Sequence, residues 1–135
     1  MASLEWIPAL SVGDRELDDE HKVLFALINR LEVARDGGGD PAVSAEILRE
    51  LGVYTHKHFS HEERLFAEGG YTEAEPHSAE HLFFATRIGD FQSDLAAGKA
   101  EVDGAILDFL KTWLTRHIAM TDRKYRPWLT GRTKA

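Results

Sequence analysis

Residues 77–95 read HSAEHLFFATRIGDFQSDL. Backwards from Leu95 through Phe91, Ile88 and Phe84, apolar side chains recur in steps of three and four. That spacing keeps one face of an α-helix buried and does not match the alternation of a strand. The same steps land next on His81 and then on His77. The inward stripe of this helix therefore ends in two imidazoles one turn apart on one face. The fold must bury the stripe, and something must satisfy the histidines inside it.

Outward from this segment the chain divides at a few breaks. Gly37, Gly38 and Gly39 end a first segment, and Asp40 followed by Pro41 caps a second. Gly69 and Gly70 close the second. Thr72 and Glu75 have capping-box spacing and predict a third start near 73, with Pro76 tolerated in the first turn. Gly98 ends the third, Asp103 is the expected cap of a fourth, and Pro127 is expected to stop it. Each segment repeats the helical period: Leu24, Phe25, Ile28 and Leu31; Ile47, Leu51, Tyr54, Leu65 and Phe66; Ile106, Leu110, Trp113, Leu114 and Ile118. Short connections make neighbours antiparallel. The prediction is an all-α, up-down-up-down four-helix bundle in a single domain over 1–135, with helices at about 18–36, 41–68, 73–97 and 103–124. Residues 1–17, including Trp6, Pro8 and Val12, hold no helical period and are expected to form an extended arm on the bundle.

Composition narrows the function. The chain has 135 residues, 43% of them hydrophobic and 29% charged, which suits one folded domain. Its formal charge of −7 disfavours nucleic acid and anionic membranes as partners. The start MASLEWIPALSVGD has no basic n-region and no apolar stretch of export length, so a soluble cytoplasmic protein is expected. With no cysteine, disulfides, thiolate nucleophiles, iron–sulfur clusters and thiolate zinc sites are excluded.

Of the seven histidines, five fall where the helical period calls for core residues: His21, His58, His77, His81 and His117. Polar groups buried without partners cost about 1–3 kcal/mol each, so five in one core need a common partner, and a metal provides one. His77 with His81, and His58 with Glu62, are pairs four apart on one helical face. Asp122 stands five after His117, about 140° further round an α-helix, which suits reaching toward a second ion. Five imidazoles and two carboxylates exceed a tetrahedral zinc site and are too rich in nitrogen for a hard-ion cage. Two metals bridged by Glu62 and Asp122 fit the donor set, with room for a solvent-derived bridge and one open position.

Four motifs then resemble the hemerythrin family: D-E-H around His21, H-F-S-H-E-E from His58 to Glu63, H-S-A-E-H from His77 to His81, and H-I-A-M-T-D from His117 to Asp122. They come in family order, one per helix, and most closely resemble its stand-alone bacterial branch. The resemblance implies two non-haem iron ions as cofactor. His77, His81 and His117 would hold one, His21 and His58 the other, and Glu62, Asp122 and an oxo or hydroxo group would bridge them. It further implies that dioxygen binds reversibly, for transport or storage, at the iron with two histidines. Phe25, Trp113, Leu114 and Ile118 are the expected walls of that pocket. The expectation is a monomeric oxygen-binding protein and not an enzyme. An oxygen or redox sensor acting through a separate partner is one alternative reading, and a di-iron oxidase, peroxidase or nitric oxide-reacting enzyme is another. Against a ferroxidase, no Glu stands three residues before a His as in E-x-x-H pairs. His56 points away from the seam, and His61 lies about 60° off it, as a surface group or a partner of a ligand. Glu63 and Glu80 are assigned to solvated faces, with orientation of a ligand imidazole as the alternative reading, and Tyr125 lies one turn past Asp122.

Overall fold

The computed structural model describes residues 4–98, 102 and 104–133. Four antiparallel helical stretches form the bundle: α1 (Arg15–Asp36), α2 (Pro41–Gly69), α3 (Ala74–Ala96), and a fourth. The fourth is continuous through α4 (Gly104–Arg116), a π turn (His117–Asp122) and α5 (Arg123–Thr133). α1 packs on α2 and α4, and α2 packs on α3. The segment Arg15–Asp36 starts earlier than the period predicts. Asp14 caps it, its carboxylate accepting from Leu17 N at 2.9 Å, so the arm is shorter than expected. The arm also carries a 3-10 turn, Pro8–Leu10, in place of a wholly extended path.

Asp40 caps α2 through Ala42 N (2.9 Å), and Gly70 ends it in the left-handed conformation that glycine adopts without penalty. The expected Thr72–Glu75 capping box does not form. The N-cap is Glu73 with no side-chain bond, and a backbone turn from Ala74 N to Tyr71 O starts α3 instead. Asp103, the expected cap of α4, lies outside the described residues. Pro127 does not stop the fourth helix. Proline removes one backbone bond, but Tyr125, Leu129 and the partly buried Trp128 on either side of it pack into the smaller apolar cluster, and that burial outweighs the local loss.

Two apolar clusters enclose the middle of the bundle. The larger holds Leu24, Ile28, Leu31, Leu51, Phe84, Leu107, Leu110 and Leu114; the smaller holds Val12, Leu17, Phe66, Tyr71, Tyr125 and Leu129. The arm is pinned at both ends. Leu4 and the Asn29 amide exchange bonds of 2.8 and 2.9 Å, and Asp18 accepts from Ser11 Oγ (2.6 Å) and Val12 N (2.9 Å). At Gly13 φ is +84°, and a Cβ there would meet Thr130 Cγ2 at 2.6 Å, so only glycine lets the arm pass this close to α5. Among the described residues no helix is long and apolar enough to cross a membrane.

Candidate metal centre

All seven predicted donors meet in one buried layer, each with an exposure of 3% or less. α1 brings His21, α2 His58 and Glu62, α3 His77 and His81, and the π turn His117 and Asp122. They fall into two overlapping sets whose donor atoms lie within 4.8 Å of one another: Glu62, His77, His81, His117 and Asp122; and His21, His58, Glu62 and Asp122. Both sets share the two carboxylates. Asp122 Oδ1 is 2.8 Å from His77 Nε2 and 3.0 Å from His117 Nε2, while Oδ2 is 3.0 Å from His21 Nε2. Glu62 Oε1 lies 3.1 Å from His81 Nε2 and 3.5 Å from His58 Nε2.

The π turn sets the position of Asp122. With α-helical geometry Asp122 would lie well round from His117, as the sequence predicts. The i→i+5 bonding of a π turn instead stacks residues five apart, and Asp122 comes to lie beside His117 as well as His21. One inserted widening lets a single helix supply both an imidazole and a carboxylate that reaches each set.

Short as these approaches are, they do not pair the layer with itself. Nε2 of His21, His77, His81 and His117, Oε1 of Glu62 and both oxygens of Asp122 are buried and make no hydrogen bond. Nitrogen and oxygen atoms thus converge across the layer without the alignment of hydrogen bonds. Imidazole and carboxylate are the donors that borderline first-row cations accept, so the residues fit metal ions.

A surrounding ring of acceptors fixes the imidazoles. Glu20 Oε1 contacts His58 Nδ1 at 2.6 Å, Glu63 Oε2 contacts His81 Nδ1 at 2.7 Å, and Glu80 Oε1 contacts His117 Nδ1 at 2.8 Å. A carboxylate on Nδ1–H holds the ring in the tautomer that leaves Nε2 free to bind a metal. Glu63 and Glu80 thus orient ligand rings as well as meeting solvent. Thr121 Oγ1 donates to Glu80 (2.8 Å), and Tyr125 Oη donates to Glu62 Oε2 (2.6 Å). His61 bonds the second oxygen of Glu20 (2.8 Å), and His56 is exposed.

Burial and charge pull the titrations apart. Burial would lower the His77 pKa, but the Asp122 and Glu62 carboxylates outweigh it and raise it to about 9. His58 and His117 shift the same way for the same reason, His58 chiefly through Glu62 and His117 chiefly through Asp122. Burial opposes ionisation of Glu62 and Asp122, and the imidazoles around them still hold both below the usual carboxylate range. Burial and the nearby Glu62 charge push the Tyr125 phenol well above its ordinary value, so it remains a donor.

Aromatic rings enclose the layer. Trp113 stacks on His117 (4.5 Å between centroids) and on Phe84 (4.1 Å), on the three-histidine side. Phe59 stacks on His81 at 3.7 Å. Phe25, Leu114 and Ile118 are buried in the larger cluster. Trp6, carried in by the arm, has its ring 6.2 Å from His21 and 6.0 Å from Phe25. Sequence reading missed Trp6, Glu20 and the π turn. Glu20 sits beside His21 in the sequence, but its partner His58 is 38 positions away, and no local spacing signals the pair.

Comparisons with known proteins show the family. A family model described as the hemerythrin HHE cation binding domain matches residues 12–129. A bacteriohemerythrin of Pseudomonas aeruginosa is 34% identical over 125 residues, covering 93% of this chain and 80% of the relative. One of Methylococcus capsulatus is 33% identical over 134 residues, covering 97% of this chain and 100% of the relative. A hemerythrin-like protein of Naegleria gruberi is 36% identical over 121 residues, covering 90% and 89%. The crystal structure of a wild-type hemerythrin superposes with a TM-score of 0.90 at 31% identity, over 96% of this chain and 99% of that one. With the match spanning nearly the whole bundle and every donor of the layer inside it, the chain belongs to the hemerythrin HHE cation-binding family.

Proposed function

We propose that this protein binds dioxygen reversibly at a non-haem di-iron centre, for transport or storage of oxygen, and is not an enzyme. The observation that carries the reading is the unequal sharing of donors: three imidazoles in one set, two in the other, and both carboxylates in each. His77, His81 and His117 would hold one iron, His21 and His58 the other, and Glu62 and Asp122 would bridge them. Two ferrous ions held there supply the two electrons that reversible dioxygen binding uses, at the position one ligand short.

The protein's own contribution is orientation and exclusion of water. Glu20, Glu63 and Glu80 keep three ligand rings in register with Nε2 inward. The Tyr125 hydroxyl donates to Glu62 Oε2 and holds that carboxylate across both sets. Trp6 lies beside His21 and Phe25, and with Leu114 and Ile118 of the same buried cluster these side chains would wall the two-histidine position, where a dry wall disfavours protonation and cleavage of the ligand. Trp113 buttresses His117 from the other side.

Metal analysis combined with the visible spectrum of the reduced protein before oxygen, with oxygen and after its removal tests the proposal. Two irons per chain and a band that appears and reverses are expected. An irreversible colour change would favour enzyme or sensor chemistry, and zinc or no metal would return the layer to a structural role.

A further inference from the structure

A second concentration of metal-binding side chains lies where α1 meets α2, outside the layer of seven donors. One donor atom from each of Glu16, Glu20 and His61 lies within 4.8 Å of the others. Glu16 and Glu20 are four apart on α1, so their carboxylates leave the same face one turn apart. His61 reaches them from α2, on the helix that also carries His58 and Glu62. The three grade inward: Glu16 is exposed, His61 part-buried and Glu20 buried.

Glu20 joins this group to the inner layer. Its Oε2 contacts His61 Nδ1 at 2.8 Å, while its Oε1 contacts His58 Nδ1 at 2.6 Å. Orienting His58 needs only one acceptor oxygen, so the buried orienting role explains neither His61 nor Glu16. One imidazole and two carboxylates are the mixed donors that suit first-row divalent ions. The two carboxylate charges balance such an ion, and the open Glu16 side leaves room for water to complete its shell.

We propose that Glu16, Glu20 and His61 form a third, outer cation site that takes one hydrated divalent first-row ion. The ion takes the place of the His61 Nδ1–H hydrogen bond to Glu20 Oε2, and the ring proton moves to Nε2 through solvent, so that Nδ1 binds as a neutral imidazole. Bound at Glu20 Oε2, the ion draws charge out of the carboxylate and weakens the hold of Oε1 on His58 Nδ1–H. His58 then becomes a poorer donor at Nε2, so occupancy outside is felt by the two-histidine position inside.

The test uses the purified, metal-loaded protein titrated with Zn²⁺ by calorimetry at neutral pH, with metal content measured before and after. One further equivalent is expected, with the inner ions retained and a shift in the visible spectrum on its addition. Glu16→Gln and His61→Ala should each weaken that equivalent at least tenfold and abolish the spectral shift, with inner metal content unchanged. Glu16 is exposed, so its substitution leaves folding intact and keeps the test decisive if His61→Ala is unstable. His56→Ala should titrate like the unmodified chain. No further equivalent, zinc bound only as inner ions leave, an equivalent that survives both substitutions, or one removed by His56→Ala would each overturn the proposal. None of these outcomes depends on whether the inner ions are iron, so failure here leaves the oxygen-binding reading standing.

Discussion

The bundle buries polar groups in two places and treats them differently. Lys111 on α4 and Glu32 on α1 meet at 2.7 Å inside the core, a cation and an anion that neutralise one another. The layer of His21, His58, Glu62, His77, His81, His117 and Asp122 is more deeply buried and leaves most of its inward nitrogen and oxygen atoms without hydrogen bonds. The Lys111–Glu32 pair carries its own counter-charge, whereas the two fully buried carboxylates of the layer need a proton or a metal ion on the imidazole side to balance them. A self-satisfied pair fixes how helices align, but an unsatisfied layer is built around a cation. This contrast separates the structural polar site from the functional one.

Removing metal should break the contrast most. Each ion present at a thousandfold excess over its dissociation constant adds about 4 kcal/mol, so two ions should raise the melting temperature by roughly 20 °C over chelator-treated protein. Calorimetry with and without chelator measures this, and coincident transitions would mean that the layer satisfies itself. Next in size is Lys111→Ala, which strands Glu32 in the core and should cost about 3–5 kcal/mol in urea unfolding while leaving metal content unchanged. Replacing both partners by apolar residues, Glu32→Leu with Lys111→Met, should recover most of that loss. No apolar replacement should rescue the metal layer.

Protons should substitute for metal, and this reverses the pH dependence. In metal-free protein His77 titrates at about 9, above its unfolded value, so its contribution is complete below about pH 6.5 and is lost as pH rises toward 9. Glu62 and Asp122 are held below their unfolded values, so their contribution is present above about pH 4 and is lost on further acidification. Metal-free stability should therefore fall by a few kcal/mol between pH 6.5 and 9. Metal-loaded protein should behave oppositely, gaining stability from pH 5 to 7 as its ligands deprotonate. Melting temperatures of both forms across pH 5–9 check the crossing, and parallel curves would refute it.

What the sequence discloses follows the range of each interaction. Local period and breaks locate the helical stretches, because Phe84, Ile88 and the residues like them must lie on one face wherever the helix packs. The five imidazoles are legible for the same reason, since each interrupts an apolar stripe; Glu62 follows His58 by one turn, and Asp122 is legible only through its spacing and motif. The Asp14 cap was overlooked because the apolar residues before it mask a helix start, and the path through Pro127 depends on burial of Tyr125 and Leu129. Least visible are contacts between distant segments: Glu20 with His58, Glu80 with His117, Lys111 with Glu32, and Trp6 near His21. The π turn is hidden too, since HIAMTD carries no marker that distinguishes i→i+5 from α-helical bonding.

The ring of outer carboxylates stands between the two polar regions and offers the finest test. Glu80 accepts from Thr121 and contacts His117 Nδ1, so it is partly satisfied without metal, yet its orienting effect is transmitted to Nε2. Glu80→Gln removes the charge and keeps the shape. If the ring acts by raising imidazole basicity, Glu80→Gln should weaken metal binding about 10–100-fold, read by competition with a chelator, while metal-free stability changes little. If it acts only as packing, both forms should lose stability equally. His56→Ala, an exposed histidine on α2 aimed away from the layer, should change metal affinity not at all and stability by less than about 0.5 kcal/mol. Equal losses from these two substitutions would mean that inward and outward histidines do not differ in role, and the division between the two kinds of buried polar site would fail with them.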